Sequence, residues 1–268
     1  MDQKNSFIVV VWDFYNQHAR LLPWREPELN GNYDEYKILV SEMMLQQTQV
    51  KRVIPKYQEF IKRFPSLESL AEGDLSEVLL LWSGLGYNRR AKYLHEAAKV
   101  LVSLKQPWSI EQLTAVKGIG TNTAAAICVY SYNSPEVFIE TNIRTVYLHH
   151  FFHGQSNVED KQIVDMLQQT IDEQNPREFY WALMDYGSNL KSQGIRNTSR
   201  SKHYKKQSRF EGSPRQIRGA VLRLLTKQGS LRPDVLKKQI NDSRIDKILS
   251  ELEKEKLIKA TGGIIRIA

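Results

Sequence analysis

The chain has 268 residues, of which 41% are hydrophobic and 25% charged, with a formal net charge of +8 at pH 7; these are the proportions of a globular domain long enough to bury a sizeable core. A single cysteine, Cys128, excludes an intramolecular disulfide, a thiolate zinc site and a four-cysteine iron–sulfur cluster. No apolar run approaches the roughly 20 residues that span a bilayer, and the start MDQKNSFIVVVWDF lacks a basic leader and a small-residue cleavage site, so no membrane and a cytoplasmic location are expected.

Taken along the chain, apolar residues recur at three- and four-residue spacing in 36–50, 53–64, 75–83, 89–104, 121–132, 142–152, 160–172 and 177–190. This predicts an all-α body of many helices, punctuated by Phe64-Pro65, Gly84-Leu85-Gly86 and Asn175-Pro176. No strand-like alternation precedes residue 210. From 191 to 213 the periodicity lapses in favour of Ser, Gly, Asn and basic residues, which reads as a linker or an extended binding loop. Beyond it, 214–226, 233–240 and 243–256 predict three helices, and LIKATGGIIRIA gives two β-prone runs around Gly262-Gly263. Three helices followed by a hairpin suit a winged helix-turn-helix. The expected organisation is therefore a helical domain over 1–190, a basic linker over 191–213 and a winged-helix-like α+β domain over 214–268.

Three places carry chemistry. Glu42, in LVSEMMLQQTQV, sits on a strongly apolar helix, where burial would raise its pKa toward that of a general acid. The amides of Gln46 and Gln47 follow it, with the donors and acceptors that base edges require, or as ordinary polar surface residues. In LTAVKGIGTNTAAA, a Gly-Ile-Gly turn joins one helix to a second opened by Thr121. Gly118 and Gly120 permit close approach of another backbone, and the amides at the helix start can grip a phosphate; an ordinary αα corner has the same look. In FIETNIRTV, Glu140 ends an apolar run ahead of a new helix, either as a charge available to a ligand or as a helix cap.

The charge is unevenly spread. Between Lys191 and Arg218 nine basic residues, Lys202, Lys205 and Lys206 among them, face Glu211 alone. With His203, Tyr204 and Phe210 interleaved, the stretch suits a phosphate backbone, or it is a solvated run.

In order and spacing, SEMMLQQTQV, LWSGLGYNRRAKYLHEAA, LTAVKGIGTNTAAAI, FIETNIRTV and FYWALMDYG resemble the motif series of MutY-type adenine DNA glycosylases of the helix-hairpin-helix (HhH-GPD) superfamily, over residues 7–190. LLPWRE fits the same group. The resemblance implies a two-lobed helical fold acting on a flipped-out base in double-stranded DNA during base excision repair. It implies that Glu42 protonates the departing purine and that Glu140, where the family has aspartate, stabilises the cationic sugar. Trp24 and Arg25 would join these carboxylates around the base. Gln46, Gln47 and Tyr87 resemble residues wedged into the base stack. Asn88, Arg89, Lys117, Gly118, Gly120, Thr121, Thr123 and Asn142 fall in its DNA-contacting segments. Asn122 stands where bifunctional relatives carry a Schiff-base lysine, which implies base removal without strand cleavage.

The iron–sulfur cysteines of relatives are missing after FYWALMDYG, and the basic stretch stands in their place. No cofactor is expected, with room only for a monovalent cation at the hairpin. The oxidised-guanine-reading C-terminal domain is replaced by the winged-helix-like segment. The expectation is a monomeric, nucleoid-associated enzyme removing adenine opposite 8-oxoguanine or guanine. The alternatives are a thymine or uracil mismatch glycosylase and a non-catalytic DNA-binding or damage-sensing protein on the same scaffold.

Overall fold

The computed structural model describes residues 2–204 and 209–268; the expectations for Lys205 and Lys206 lie outside them. The chain divides into two compact units, each assembled from separated segments. The first comprises Met1–Ile38, Pro107–Thr114 and Ile119–Lys206, the second Leu39–Gln106, Ala115–Gly118 and Gln207–Ala268.

The first unit is helical. It holds α1 (Gln3–His18), the start of α2 (Glu35–Leu45), most of α7 (Ile110–Ala115), and α8 (Thr121–Tyr132), α9 (Thr141–His150), α10 (Asp160–Gln168) and α11 (Pro176–Ser192). Its core is aromatic. Phe7 of α1 meets Tyr147 and Phe151 at centroid distances of 5.2 and 4.9 Å, and Phe138 stacks on Tyr180 at 4.2 Å. Helices α9 and α11 pack closely because Gly187 has no side chain: a Cβ there would strike the Asn142 carbonyl.

The second unit contains the remainder of α2, then α3 (Val50–Arg63), α4 (Leu67–Glu72), α5 (Leu75–Trp82) and α6 (Arg89–Leu101). Its C-terminal module runs α12 (Pro214–Gln228), β1 (Ser230–Leu231), α13 (Pro233–Ile240), α14 (Ile245–Lys254), β2 (Ile258–Thr261) and β3 (Ile264–Ile267). The antiparallel sheet has the order β1-β3-β2, with Thr261 opposite Ile264 at the hairpin end and Leu231 opposite Ile265. Ile217, Val221 and Leu225 of α12 and Ile248 and Leu252 of α14 are buried. This is the winged-helix order of elements, and α12 packs on α5 of the same unit.

The structure departs from the periodicity at several points. Residues 36–50 are not one helix: α2 stops at Leu45, Gln47 turns to φ 58°, and α3 begins at Val50. Helix α1, which contains the β-branched run IVVV and precedes the first segment read from spacing, buries Phe7 and Val11 in the unit core. Residues 191–201 are more ordered than a linker. Helix α11 continues to Ser192, Asn197–Arg200 forms a 3-10 turn, and Ser201 bridges Val158. Burial explains it: Asn197 Nδ2 donates to the Thr145 carbonyl, and Arg200 donates to the Leu148 and Phe152 carbonyls at the end of α9. The strand β1 is an addition, two residues being too few to show alternation.

Candidate functional site

In the first unit the site is built around Glu140. An apolar strand-like segment ends there, and Glu140 is the N-cap residue of α9 in an extended conformation, φ −115° and ψ 171°. Its side chain makes no capping hydrogen bond, so the helix-cap reading of this carboxylate does not hold. Burial raises its pKa, while Lys191 and Arg144 pull it back toward the charged form. Arg144 also forms a two-pronged ion pair with Asp160, at 2.9 and 2.8 Å.

Two amides hold the segment around Glu140. Asn122 Nδ2, from the first turn of α8, donates to the Ile139 carbonyl at 2.9 Å. Asn142 is fixed at both ends: its Oδ1 accepts from Lys191 Nζ at 2.6 Å and its Nδ2 donates to the Met184 carbonyl at 3.0 Å. The sequence brought Asn122, Glu140 and Asn142 together but passed over Lys191. That residue looked like the first cation of a basic run, whereas it closes α11 and is half-buried beside Asn142. Burial and Arg144 lower its pKa, and Glu140 opposes them.

Trp24 and Arg25 occupy a 3-10 turn, Pro23–Arg25, in the same unit. Trp24 is buried at 5% exposure. Arg25 forms a two-pronged bond to Asp185 at 2.9 and 2.8 Å, and its guanidinium lies 5.2 Å from the Trp181 ring centre. Arg20 also donates to Asp185, through its backbone amide at 2.8 Å and Nε at 2.6 Å. Arg25, expected beside the base, is thus tied to a carboxylate only 2% exposed. Asp185 was detectable in principle, being a lone carboxylate in FYWALMDYG, but its two arginine partners lie more than 150 residues away.

In the second unit Glu42 is 8% exposed, next to fully buried Met43 and Met44. The turn after α2 is organised by Arg90, which the sequence did not single out. Its Nη1 donates to the Met43 and Met44 carbonyls at 2.6 and 3.0 Å, and its Nη2 to Thr48 Oγ1 and the Gly86 carbonyl at 3.0 and 3.2 Å. Burial pulls its pKa down to about 10. This one side chain satisfies the open end of α2 and ties the Gln46-Gln47 turn to the Gly86-Tyr87 loop.

Gln47 and Tyr87 both have positive φ, 58° and 49°, and both are exposed. Such backbone costs energy in non-glycine residues and collects at functional positions. Gln46, Asn88, Arg89 and Gly118 line the same cavity, of about 560 Å³. Gly118 has φ +96°, and a Cβ there would lie 2.5 Å from Tyr93. Lys117 beside it is exposed, with its ammonium 5.5 Å from the Tyr93 ring centre. Gly120 is the N-cap of α8 and has no side chain with which to cap the helix start.

The basic stretch is partly engaged within the chain. Besides Lys191 and Arg200, Lys202 pairs with Glu159 at 2.6 Å, Arg215 donates to Tyr87 Oη at 2.6 Å, and Arg218 pairs with Glu255. Cys128 is buried, its Sγ 3.6 Å from the Trp108 carbonyl and its thiol pushed up to about 11 by burial. One such thiol does not fit an iron–sulfur cluster. Among the described residues no group of three or more His, Cys, Asp or Glu is placed to hold a metal ion. No described helix is long and apolar enough to cross a membrane.

Residues 40–173 match the family described as HhH-GPD superfamily base excision DNA repair protein. The chain is 36% identical over 190 residues to an adenine DNA glycosylase of Buchnera aphidicola subsp. Baizongia pistaciae, covering 68% of this chain and 52% of the relative. It is 40% identical over 141 residues to an adenine DNA glycosylase of Mycolicibacterium smegmatis, covering 52% of this chain and 47% of the relative. The chain thus spans about half the length of these curated relatives. Among solved structures it is similar to a thermostable thymine-DNA glycosylase, with a TM-score of 0.60 and 22% identity over 69% of this chain and 86% of that one. That likeness concerns the fold.

Proposed function

Because the chain belongs to the HhH-GPD superfamily of base excision DNA repair proteins, we propose that it is a monofunctional adenine DNA glycosylase. It acts as a monomer on double-stranded DNA, on adenine opposite guanine or 8-oxoguanine. The observation that carries this reading is its 36% and 40% identity to two adenine DNA glycosylases, with Glu42 and Glu140 both inside the family match over residues 40–173.

The chemistry assigned to these residues is hydrolysis of the N-glycosidic bond. The Glu42 carboxyl gives a proton to a ring nitrogen of adenine. The bond from C1′ to N9 breaks, and its electron pair leaves with the base. The Glu140 carboxylate faces the positive charge that develops on the sugar; water adds to C1′ and passes a proton to that carboxylate. The products are adenine and an abasic site. With an amide at Asn122 in place of an amine, that position offers no nucleophile for strand cleavage. Asn142, oriented by Lys191, keeps the start of α9 in place.

The DNA backbone is assigned to the start of α8 at Thr121 and Thr123, to Gly118 and Gly120, and to Lys117 and Lys202. Gln46, Gln47, Tyr87, Asn88 and Arg89 are assigned to the disrupted stack, with the strained backbone of Gln47 and Tyr87 supporting the role. Trp24 and Arg25 support the pocket wall.

The test is a panel of labelled duplexes carrying adenine opposite 8-oxoguanine or guanine, and thymine or uracil opposite guanine, treated with alkali to cut abasic sites. Cleavage at adenine is expected, with none before alkali. Release of pyrimidines alone, or of nothing, overturns the reading.

A further inference from the structure

Three turns of α11 meet one residue at the head of α9. Met184, Gly187 and Lys191 fall at i, i+3 and i+7, which places them on one face of the helix. The Met184 carbonyl accepts from Asn142 Nδ2 at 3.0 Å. Gly187 lets the two helices approach so closely that an added Cβ would lie 2.4 Å from the Asn142 carbonyl oxygen. Lys191 Nζ then donates to Asn142 Oδ1 at 2.6 Å. A side-chain amide bonded through both its nitrogen and its oxygen to one helix is fixed in orientation, and Asn142 stands two residues beyond Glu140.

Lys191 brings a charge as well as a bond. Its ammonium donates to a neutral amide oxygen, so that bond leaves the positive charge uncancelled. The position is half-buried, where an ammonium is more costly than an apolar side chain of similar length. The charged groups that act on Glu140 are Lys191, from α11, and Arg144, one helical turn along α9. Arg144 is divided between carboxylates, because it also bonds Asp160 of α10 through two nitrogens. The neighbour from α8 is the neutral amide of Asn122. For Lys191 the carboxylate that acts on it is Glu140. Burial favours the protonated form of Glu140, and the two cations oppose it.

We propose that Lys191 is a positioning residue of the glycosylase centre, clamping Asn142 at the head of α9 and standing as the counter-ion of the Glu140 carboxylate. The inference rests on the glycosylase reading, which assigns Glu140 to the cationic sugar. A protonated Glu140 could neither face that charge nor accept the proton of the incoming water. Lys191 therefore acts on the reaction through Glu140, without touching the substrate.

Two measurements on the full chain decide it. The first needs no turnover: the carboxyl carbons of isotope-labelled glutamate are followed by NMR against pH, with the Glu140 signal identified by its loss in Glu140→Gln. In Lys191→Met and Lys191→Gln, both neutral, Glu140 is expected to titrate at higher pH than in wild type, and in Lys191→Arg close to wild type. The glutamine variant keeps an amide donor for Asn142, so it serves if the methionine variant does not fold. The second is single-turnover release of adenine from about pH 6 to about pH 8.5. The neutral variants are expected to be slower than wild type by on the order of tenfold or more at the acidic end, with the gap narrowing as the pH rises, and Lys191→Arg to recover most of the rate. Glu42 titrates alike in all of these proteins, so the ratio to wild type reports Glu140. An unmoved Glu140 titration in the neutral variants overturns the counter-ion role. Release slowed by one factor at every pH, in the arginine variant as in the neutral ones, makes Lys191 a purely structural residue and also overturns the proposal. Absence of release by wild type is a failure of the glycosylase reading, and the NMR titration still decides whether Lys191 balances Glu140.

Discussion

Desolvation and two nearby cations act on Glu140 in opposite directions, and desolvation prevails. A carboxyl whose folded pKa is raised contributes stability that is present below its unfolded value and is lost as the pH rises through the folded one. At neutral pH the charge of Glu140 therefore costs the fold something, as groups kept for chemistry often do. Glu140→Gln keeps the shape and removes the charge. It is expected to melt above wild type at pH 8, with the difference closing by about pH 3.5, below the usual carboxylate range. Calorimetry at both values checks it, and an equal shift at both contradicts the assignment. The position of Glu140 was legible because it ends an apolar run before a helix. The bond of neighbouring Asn142 to Lys191 was not, since it depends on α11 folding back to α9, 49 residues away.

Among the elements, the α7–α8 turn contains two glycines with separate duties. Gly118 serves the fold: its φ of +96° and the Tyr93 ring leave no place for a side chain. Gly120 has ordinary φ, −86°, and nothing within 4 Å of an added Cβ; on the reading proposed above it makes room for a DNA strand. Gly118→Ala is expected to lose on the order of 1–3 kcal/mol of stability from backbone strain, with the ring contact adding to it. Gly120→Ala stays within about 1 kcal/mol, as expected at a helix N-cap, yet weakens DNA binding. Denaturant melts and binding titrations separate the two, and identical behaviour would refute the division of labour. The Gly-Ile-Gly pattern revealed this turn, and helical spacing revealed α8, α12 and α13 with nearly correct ends. It failed where tertiary partners decide: Arg90 ends α2 early, and Arg200 anchors a stretch that composition marks as loose.

For the molecule as a whole, composition and order of motifs gave the helical body and its winged-helix-like ending. The two units are each assembled from three separated stretches of chain, and hydrophobic periodicity, a local signal, contains no information about which stretches join. Glu42 and Glu140 fall in different units, on segments 98 residues apart in sequence, and the proposed reading gives them a joint role. Single-turnover release of adenine by wild type, Glu42→Gln and Glu140→Gln, with duplex affinity measured in parallel, tests that role most directly. The account predicts that each substitution slows release by several orders of magnitude while affinity changes little. Unchanged rates in both variants would contradict it.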